Sequence, residues 1–271
     1  MPEVETVVRG LRRVILNQTI ANIHLNAPKI DADNPRGWLN RLKGQTVVAI
    51  RRRGKNILID LTDRYTLWVH LRMTGQFHYV PRNHSRDKHD LMEFSLLGNG
   101  HVLRFRDYRR FGRVRLRHTD EIMQEEGLAD LGPEPLEISA GEFVHLCRKS
   151  SRMIKPALLD QSFIAGLGNI YTDEMLFAAG VHPRRLTDRI SRKKLVAMHG
   201  AMQAMLKRSI TMMGTTVDTY TGVNGRTGRF QKYLRVYGRD GEPCPNCGTM
   251  IRREKVGSRS AHFCPKCQRL W

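Results

Sequence analysis

Val4, Val7, Val8, Leu11, Val14 and Ile15 recur three and four residues apart. That spacing lines one face of a helix and predicts an amphipathic α-helix over residues 3–17. From about residue 19 to 118 the pattern changes to short β-branched and alternating runs: "TIANIHL", "TVVAIRR", "NILIDL", "TLWVHLRM", "LMEFSLL", "HVLRFRD" and "RVRLRH". Gly98-Asn99-Gly100 between two of them marks a hairpin turn. A helix followed by strands at this spacing predicts an antiparallel sandwich or barrel. The acidic stretch "DEIMQEEGLADLGPEPLEIS" carries two prolines and two glycines and predicts a linker at 121–136. Beyond it the periodicity is helical, in "GEFVHLCRKS", "MIKPALLDQ", "NIYTDEMLFAAG" and the long "SRKKLVAMHGAMQAMLKRSI". "GVNGRTGRF" reads as a flexible loop leading into a cysteine-rich end. The organisation is therefore α+β: a helix and sandwich over 1–120, the linker, a helical domain over 137–235, and a small terminal module over 236–271.

Charge narrows the class of partner. Of 271 residues, 46 are Lys or Arg and 26 Asp or Glu, a formal net charge of +20, which points to a polyanion and first to nucleic acid. A membrane surface is the weaker alternative, because no run of 18 apolar residues stands beside the basic ones. Glu3 and Glu5 fall where a secretory signal would carry its basic start, so the chain reads as cytoplasmic. Four of the five cysteines lie in the last 28 residues, a local site rather than a disulfide framework. Cys147, in "FVHLCRK", reads as core.

Cys244-x2-Cys247-x16-Cys264-x2-Cys267 is the most specific motif. Two such knuckles bring four thiolates to a tetrahedral zinc at about 2.3 Å each, and closed four-cysteine sites are structural. Between them "GTMIRREKVGSRSAHF" predicts a hairpin with Arg252, Arg253, Lys255 and Arg259 along it. "IAGLGNIYTDEMLF" places Gly166 and Gly168 before a helix starting near Asn169; glycines there either expose N–H groups to a phosphate or make a tight turn between helices. "HLRMTGQF" and "DYRRFG" put Met73, Arg109 and Phe111 at strand ends. They are either core residues or wedges of the kind that unstack a duplex. Lys55, after a glycine in "RRRGKNIL", sits at a hairpin. No acidic constellation for a catalytic magnesium is visible.

The opening "MPEVETV" adds chemistry. Once Met1 is trimmed, Pro2 carries the α-amine, which titrates near 7.7–8.0 against 10.4 for lysine, so its neutral fraction at pH 7 is larger by roughly a few hundredfold. Such an amine can attack a nucleotide's sugar carbon, expel the base and leave an imine, with Glu3 protonating the sugar oxygen.

In order, "PEVETV", "RRRGK", "HLRMTG", "KHD", "DYRRFG", "LGPEPL", "IKPALLDQ", "AGLGNIYTDEMLFAAGVHP", "VYGRDGEPC" and the four-cysteine finger resemble the formamidopyrimidine-DNA glycosylases, bifunctional repair enzymes for oxidised purines. The resemblance covers essentially the whole chain. It implies an N-terminal helix and β-sandwich, a helix-two-turns-helix domain and a zinc finger, with duplex DNA across the cleft between the domains and the damaged base flipped out of the stack. It further implies Pro2 as Schiff-base nucleophile, Glu3 as proton donor, Lys55 in β-elimination and Arg259 in δ-elimination. Met73, Arg109 and Phe111 would fill the gap left by the base; His89, Arg109, Lys155 and Asn169 would hold phosphates. "TGVNGRTGRF" would close over the lesion. One structural zinc, no catalytic metal or organic cofactor, and a monomer on oxidised or abasic duplex DNA complete the expectation.

Two departures qualify it. The start is three residues, nearly one helical turn, shorter than the family pattern of two proline-glutamate pairs. Either Pro2 and Glu3 are the catalytic pair on a short lead-in, or they match the second pair and the chain is a non-catalytic, zinc-finger damage-binding protein. Tyr108 stands where the family has proline, beside Arg109.

Overall fold

The computed structural model describes residues 1–27, 30, 33–215, 222–223, 225 and 227–270. Packing divides the chain into two units: Pro2–Ala129 with Met212–Arg229, and Met1 and Asp130–Thr211 with Phe230–Trp271.

In the N-terminal unit, α1 (Pro2–Ile15) starts on the proline itself, which suits the first helical turn because its missing N–H has no partner there. Val4, Val7, Val8, Leu11 and Ile15 are buried along one face, as their spacing predicts. Among the described residues eight strands follow: β1 (Ile20–Leu25), β2 (Val47–Arg53), β3 (Asn56–Leu61), β4 (Tyr65–His70), β5 (Gly75–Pro81), β6 (Asp90–Leu96), β7 (His101–Asp107) and β8 (Arg113–His118). A short helix, α2 (Trp38–Leu42), lies between β1 and β2. The strands make two antiparallel four-stranded sheets, in the orders β1-β6-β7-β5 and β2-β3-β4-β8. Ile57, Ile59, Val69, Phe77, Phe94 and Phe105 from the two sheets share one core with α1, so the arrangement is a sandwich capped by a helix. The acidic stretch after β8 is no free tether, because Ile122 and Leu128 are each 1% exposed. Val223, 3% exposed, belongs to the same core and its carbonyl accepts from Tyr79 N at 3.1 Å.

The second unit carries α3 (Ala140–Arg148), α4 (Ile154–Leu159), α5 (Asn169–Ala178) and α6 (Arg192–Thr211). Ser139 and Glu142 form a reciprocal capping box that starts α3, each side chain bonding the other's backbone N–H at 3.2 and 2.8 Å. Leu195, Met198, Met202, Leu206 and Ile210 give α6 its buried face. A hairpin of β9 (Arg252–Val256) and β10 (Arg259–Phe263) lies between the two cysteine pairs.

Candidate functional site

In the N-terminal unit the start of α1 is fixed from two directions. Arg52, near the end of β2, donates to Glu5 at 3.1 Å and to the carbonyl of Gly54 at 3.0 Å. One guanidinium thereby ties the first turns of α1 to the Gly54-Lys55 hairpin. Burial pushes the Glu5 carboxyl up, but hydrogen bonds from Arg9 and Arg52 outweigh it and leave the group below its usual range. Glu3 accepts from Thr215 N at 3.0 Å, a partner 212 residues away in the chain. The close fit there depends on glycine: a Cβ at Gly228 would lie 2.3 Å from the carbonyl oxygen of Gly214, inside contact distance for any side chain.

Lys55 occupies the two-residue turn between β2 and β3, and Asn56 pairs with His70 of β4. Burial, then the charges of Arg72 and Lys55, push the His70 imidazole down to about 4. It is neutral at pH 7, and its Nδ1 accepts from Arg72 N at 3.0 Å. His70 stands inside "HLRMTG", and nothing in sequence distinguishes it from the other ten histidines.

Met73, Arg109 and Phe111 come together. Met73 sits on a tight turn in which Gly75 N donates to Leu71 O at 3.0 Å; a Cβ on Gly75 would meet that oxygen at 2.4 Å, so the turn requires glycine. Arg109 Nη1 lies 3.1 Å from Met73 Sδ, and its guanidinium stacks 4.8 Å from the centre of the Phe111 ring. Met73 and Phe111 are 68% and 53% exposed, so neither fills the core. Asp107 organises them. Its carboxylate is fully buried and accepts from Thr74 Oγ1, Arg109 N at 3.1 Å, Phe111 N at 2.8 Å and Gly112 N at 2.7 Å. Sequence reading passed over this residue, although an aspartate heading a turn is the available signal.

His89 is held in the adjoining loop by Asp87, whose Oδ1 accepts from its backbone N at 2.8 Å and lies 2.9 Å from its Nδ1. An ionised carboxylate only accepts, which places the proton on Nδ1 and leaves Nε2 as the second ring atom able to meet a partner. The loop is shaped from beneath by Arg104, buried between Glu93 (2.7 Å) and the carbonyls of His84 and Ser85 (2.8 Å each). Tyr108 packs its ring 4.7 Å from that of His89, a contact that proline at this position would make with much less surface.

In the second unit, Asn169 opens α5 directly after Gly168, which supplies no side-chain cap. The Oδ1 of Asn169 is buried without a partner, and the preceding turn is knitted by Gln161, which accepts from Gly166 N at 2.9 Å. Uncapped N–H groups at a helix N-terminus are what an anion completes, whereas the buried Asn169 Oδ1, an acceptor, calls for a donor.

Lys155 corrects an expectation. It is fully buried: Nζ donates to Asp173 Oδ1 and to Ser260 O, each at 2.5 Å. Burial pushes its pKa down and Asp173 pulls it back only in part. The other Asp173 oxygen accepts from His262 N at 2.9 Å. Lys155 therefore ties α4 and α5 to β10 and presents no donor to an outside phosphate. Arg259, beside Ser260 in that hairpin, is exposed.

The thiol sulfurs of Cys244, Cys247, Cys264 and Cys267 lie within 4.8 Å of one another, with pairs at 3.5, 3.5 and 3.9 Å. Four sulfurs about 2.3 Å from a tetrahedral zinc stand about 3.8 Å apart, so the cluster fits that ion. Asn246 N and Cys267 N point at Cys244 Sγ and Cys264 Sγ at 3.4 Å, as outer donors to metal-bound thiolates do. Cys147 is buried, its thiol pushed up to about 12, and takes no part. Positions 221, 224 and 226 of the expected lesion-closing loop lie outside the described residues.

Comparison with known proteins places these features. Residues 1–114 match the model of the formamidopyrimidine-DNA glycosylase N-terminal domain, 131–221 that of the formamidopyrimidine-DNA glycosylase H2TH domain, and 241–270 the zinc finger found in FPG and IleRS. Formamidopyrimidine-DNA glycosylases of Lactobacillus helveticus and Lactiplantibacillus plantarum are 40% and 41% identical, covering 100% of this chain and 99% of each relative. Solved structures of the Lactococcus lactis enzyme superpose over 99% of both chains. A point mutant of that enzyme with a Fapy-dG containing DNA gives a TM-score of 0.93 at 35% identity, and its complex with an abasic site containing DNA gives 0.92 at 36%.

Proposed function

The chain belongs to the formamidopyrimidine-DNA glycosylase family, and from that premise we propose how its own residues perform the reaction. It is a base-excision-repair glycosylase with lyase activity that removes oxidised purines, 8-oxoguanine and formamidopyrimidines, from duplex DNA, and its finger holds one structural zinc. With Met1 removed, the Pro2 nitrogen attacks C1′ of the flipped nucleotide. The bond from C1′ to the base breaks, and Glu3 protonates the sugar ring oxygen as the ring opens to an iminium. Loss of a C2′ proton then expels the 3′ phosphate, with Lys55 assisting, and loss of the 5′ phosphate follows with Arg259; water releases the remnant from the proline. Met73, Arg109 and Phe111 occupy the space left by the base, while His89, Arg109 and Asn169 hold phosphates. Lys155 keeps β10 in place.

The observation carrying this account is the start of α1. Pro2 is its first residue, and the neighbouring Glu3 is anchored through Thr215 N, so nucleophile and proton donor share one rigid turn. Among the described residues no helix is long and apolar enough to cross a membrane. A substrate that is chromosomal DNA supports a location in the cytoplasm, at the nucleoid.

Borohydride trapping on a duplex with one 8-oxoguanine opposite cytosine tests the assignment. A covalent complex whose crosslinked peptide begins at Pro2 is expected. Lesion binding without any crosslink sinks it and favours the damage-binding alternative, whereas a crosslink at a lysine sinks the Pro2 assignment and leaves a lyase with a different nucleophile.

A further inference from the structure

The second unit contains a cavity of about 420 Å³ that none of the DNA chemistry above uses. Five of its lining side chains are cationic, Arg185, Arg189, Lys194, Lys266 and Arg269, and no Asp or Glu stands among the described residues that line it. Among the described residues none of the five is ion-paired. Arg185 is held at its position by the carbonyls of Arg189 and Leu270, and Lys194 donates to Gly180 O at 3.0 Å. These acceptors are neutral, so they orient the cations without cancelling their charge. Ser191, also in the lining, accepts from Lys194 N at 3.3 Å just ahead of the twenty-residue α6, which adds the positive end of a long helix to the same space.

Five like charges converging on one concave space repel one another, and an anion there relieves the repulsion while meeting donors that are partly pre-ordered. A flat basic patch suits a duplex backbone. A recess of this volume, within the range of small-molecule sites, suits a compact ligand. We infer that this cavity binds a small polyphosphate anion, a diphosphate group free or on a nucleotide. Lys266 and Arg269 flank the zinc ligand Cys267, which itself lines the cavity, so an occupant also braces the finger against α6.

Inorganic pyrophosphate titrated into the full, zinc-loaded chain tests this, read by calorimetry and by melting temperature at constant ionic strength. Saturable binding of one equivalent with a rise in Tm is expected, weakened about tenfold or more in Lys266→Ala/Arg269→Ala. A charge-matched control, Lys43→Ala/Lys207→Ala, should bind as the parent does. Should the first variant lose zinc, Arg189→Ala, outside the finger, is expected to show the same weakening. Equal binding by cavity variant and control overturns the proposal, since attraction to net charge then suffices. So does the absence of pyrophosphate binding together with a selective loss of duplex affinity in the cavity variant, which would make the recess a seat for DNA backbone.

Discussion

The buried carboxylate of Asp107 accepts from one hydroxyl and three backbone N–H groups, and two of those belong to Arg109 and Phe111 themselves. Hydrogen bonds to a charged group are worth about 1.5–3 kcal/mol each and are costly to leave unmade. Asp107→Ala should therefore free the loop bearing Arg109 and Phe111 before it disturbs the sheets. We expect lesion excision in single-turnover assays to fall about tenfold or more, equivalent to about 1.4 kcal/mol, with zinc content unchanged. Wild-type rates in this variant would show that the cage is dispensable. Met73 and Phe111 were legible as exceptions, large apolar groups at strand ends open to a core or a wedge reading, yet the carboxylate that orders the loop beside them was not, because three of its four partners are backbone groups that no pattern of side chains reports.

At the scale of elements, the pair Lys155–Asp173 joins α4, α5 and the finger hairpin. A buried pair need not be more stabilising than apolar residues in its place, but removing one partner leaves an uncompensated charge, at a cost of about 3–5 kcal/mol. Lys155→Ala is expected to lower Tm by several degrees and, on the role proposed for Arg259, to slow the second elimination more than base release. The product ratio on a gel reads this directly. The double change Lys155→Met/Asp173→Leu should recover part of the stability, since no lone charge remains. If the single variant instead loses DNA affinity with normal Tm, Lys155 is a phosphate ligand after all and the buried geometry is not the working one. Sequence placed Lys155 at a phosphate because it is a lysine in a matching motif; only packing shows that its charge is already answered.

Over the whole molecule, a net charge of +20 makes affinity for duplex DNA strongly salt-dependent. With about four phosphates neutralised, log K against log salt should fall with a slope of about −3.6. Raising salt from about 50 to about 200 mM then weakens binding by about 150-fold. Fluorescence anisotropy on undamaged duplex measures the slope, and a slope near zero would contradict a phosphate-dominated interface. On the proposed mechanism the trimming of Met1 is the other global requirement, because the Pro2 amine is not free before it.

The sequence alone determined the elements and the chemistry available to them. Periodicity separated the helix, the strands and the later helices; cysteine spacing named the metal site; and motif order, together with the Pro2–Glu3 start, pointed to the reaction. These are local properties, written in spacings of a few residues. Tertiary structure decided what faces what. It buried Lys155, gathered Met73, Arg109 and Phe111 around Asp107, brought Thr215 to Glu3 across 212 positions, and left five cations facing one recess. Such relations depend on contacts between distant segments and on burial, which no local pattern encodes.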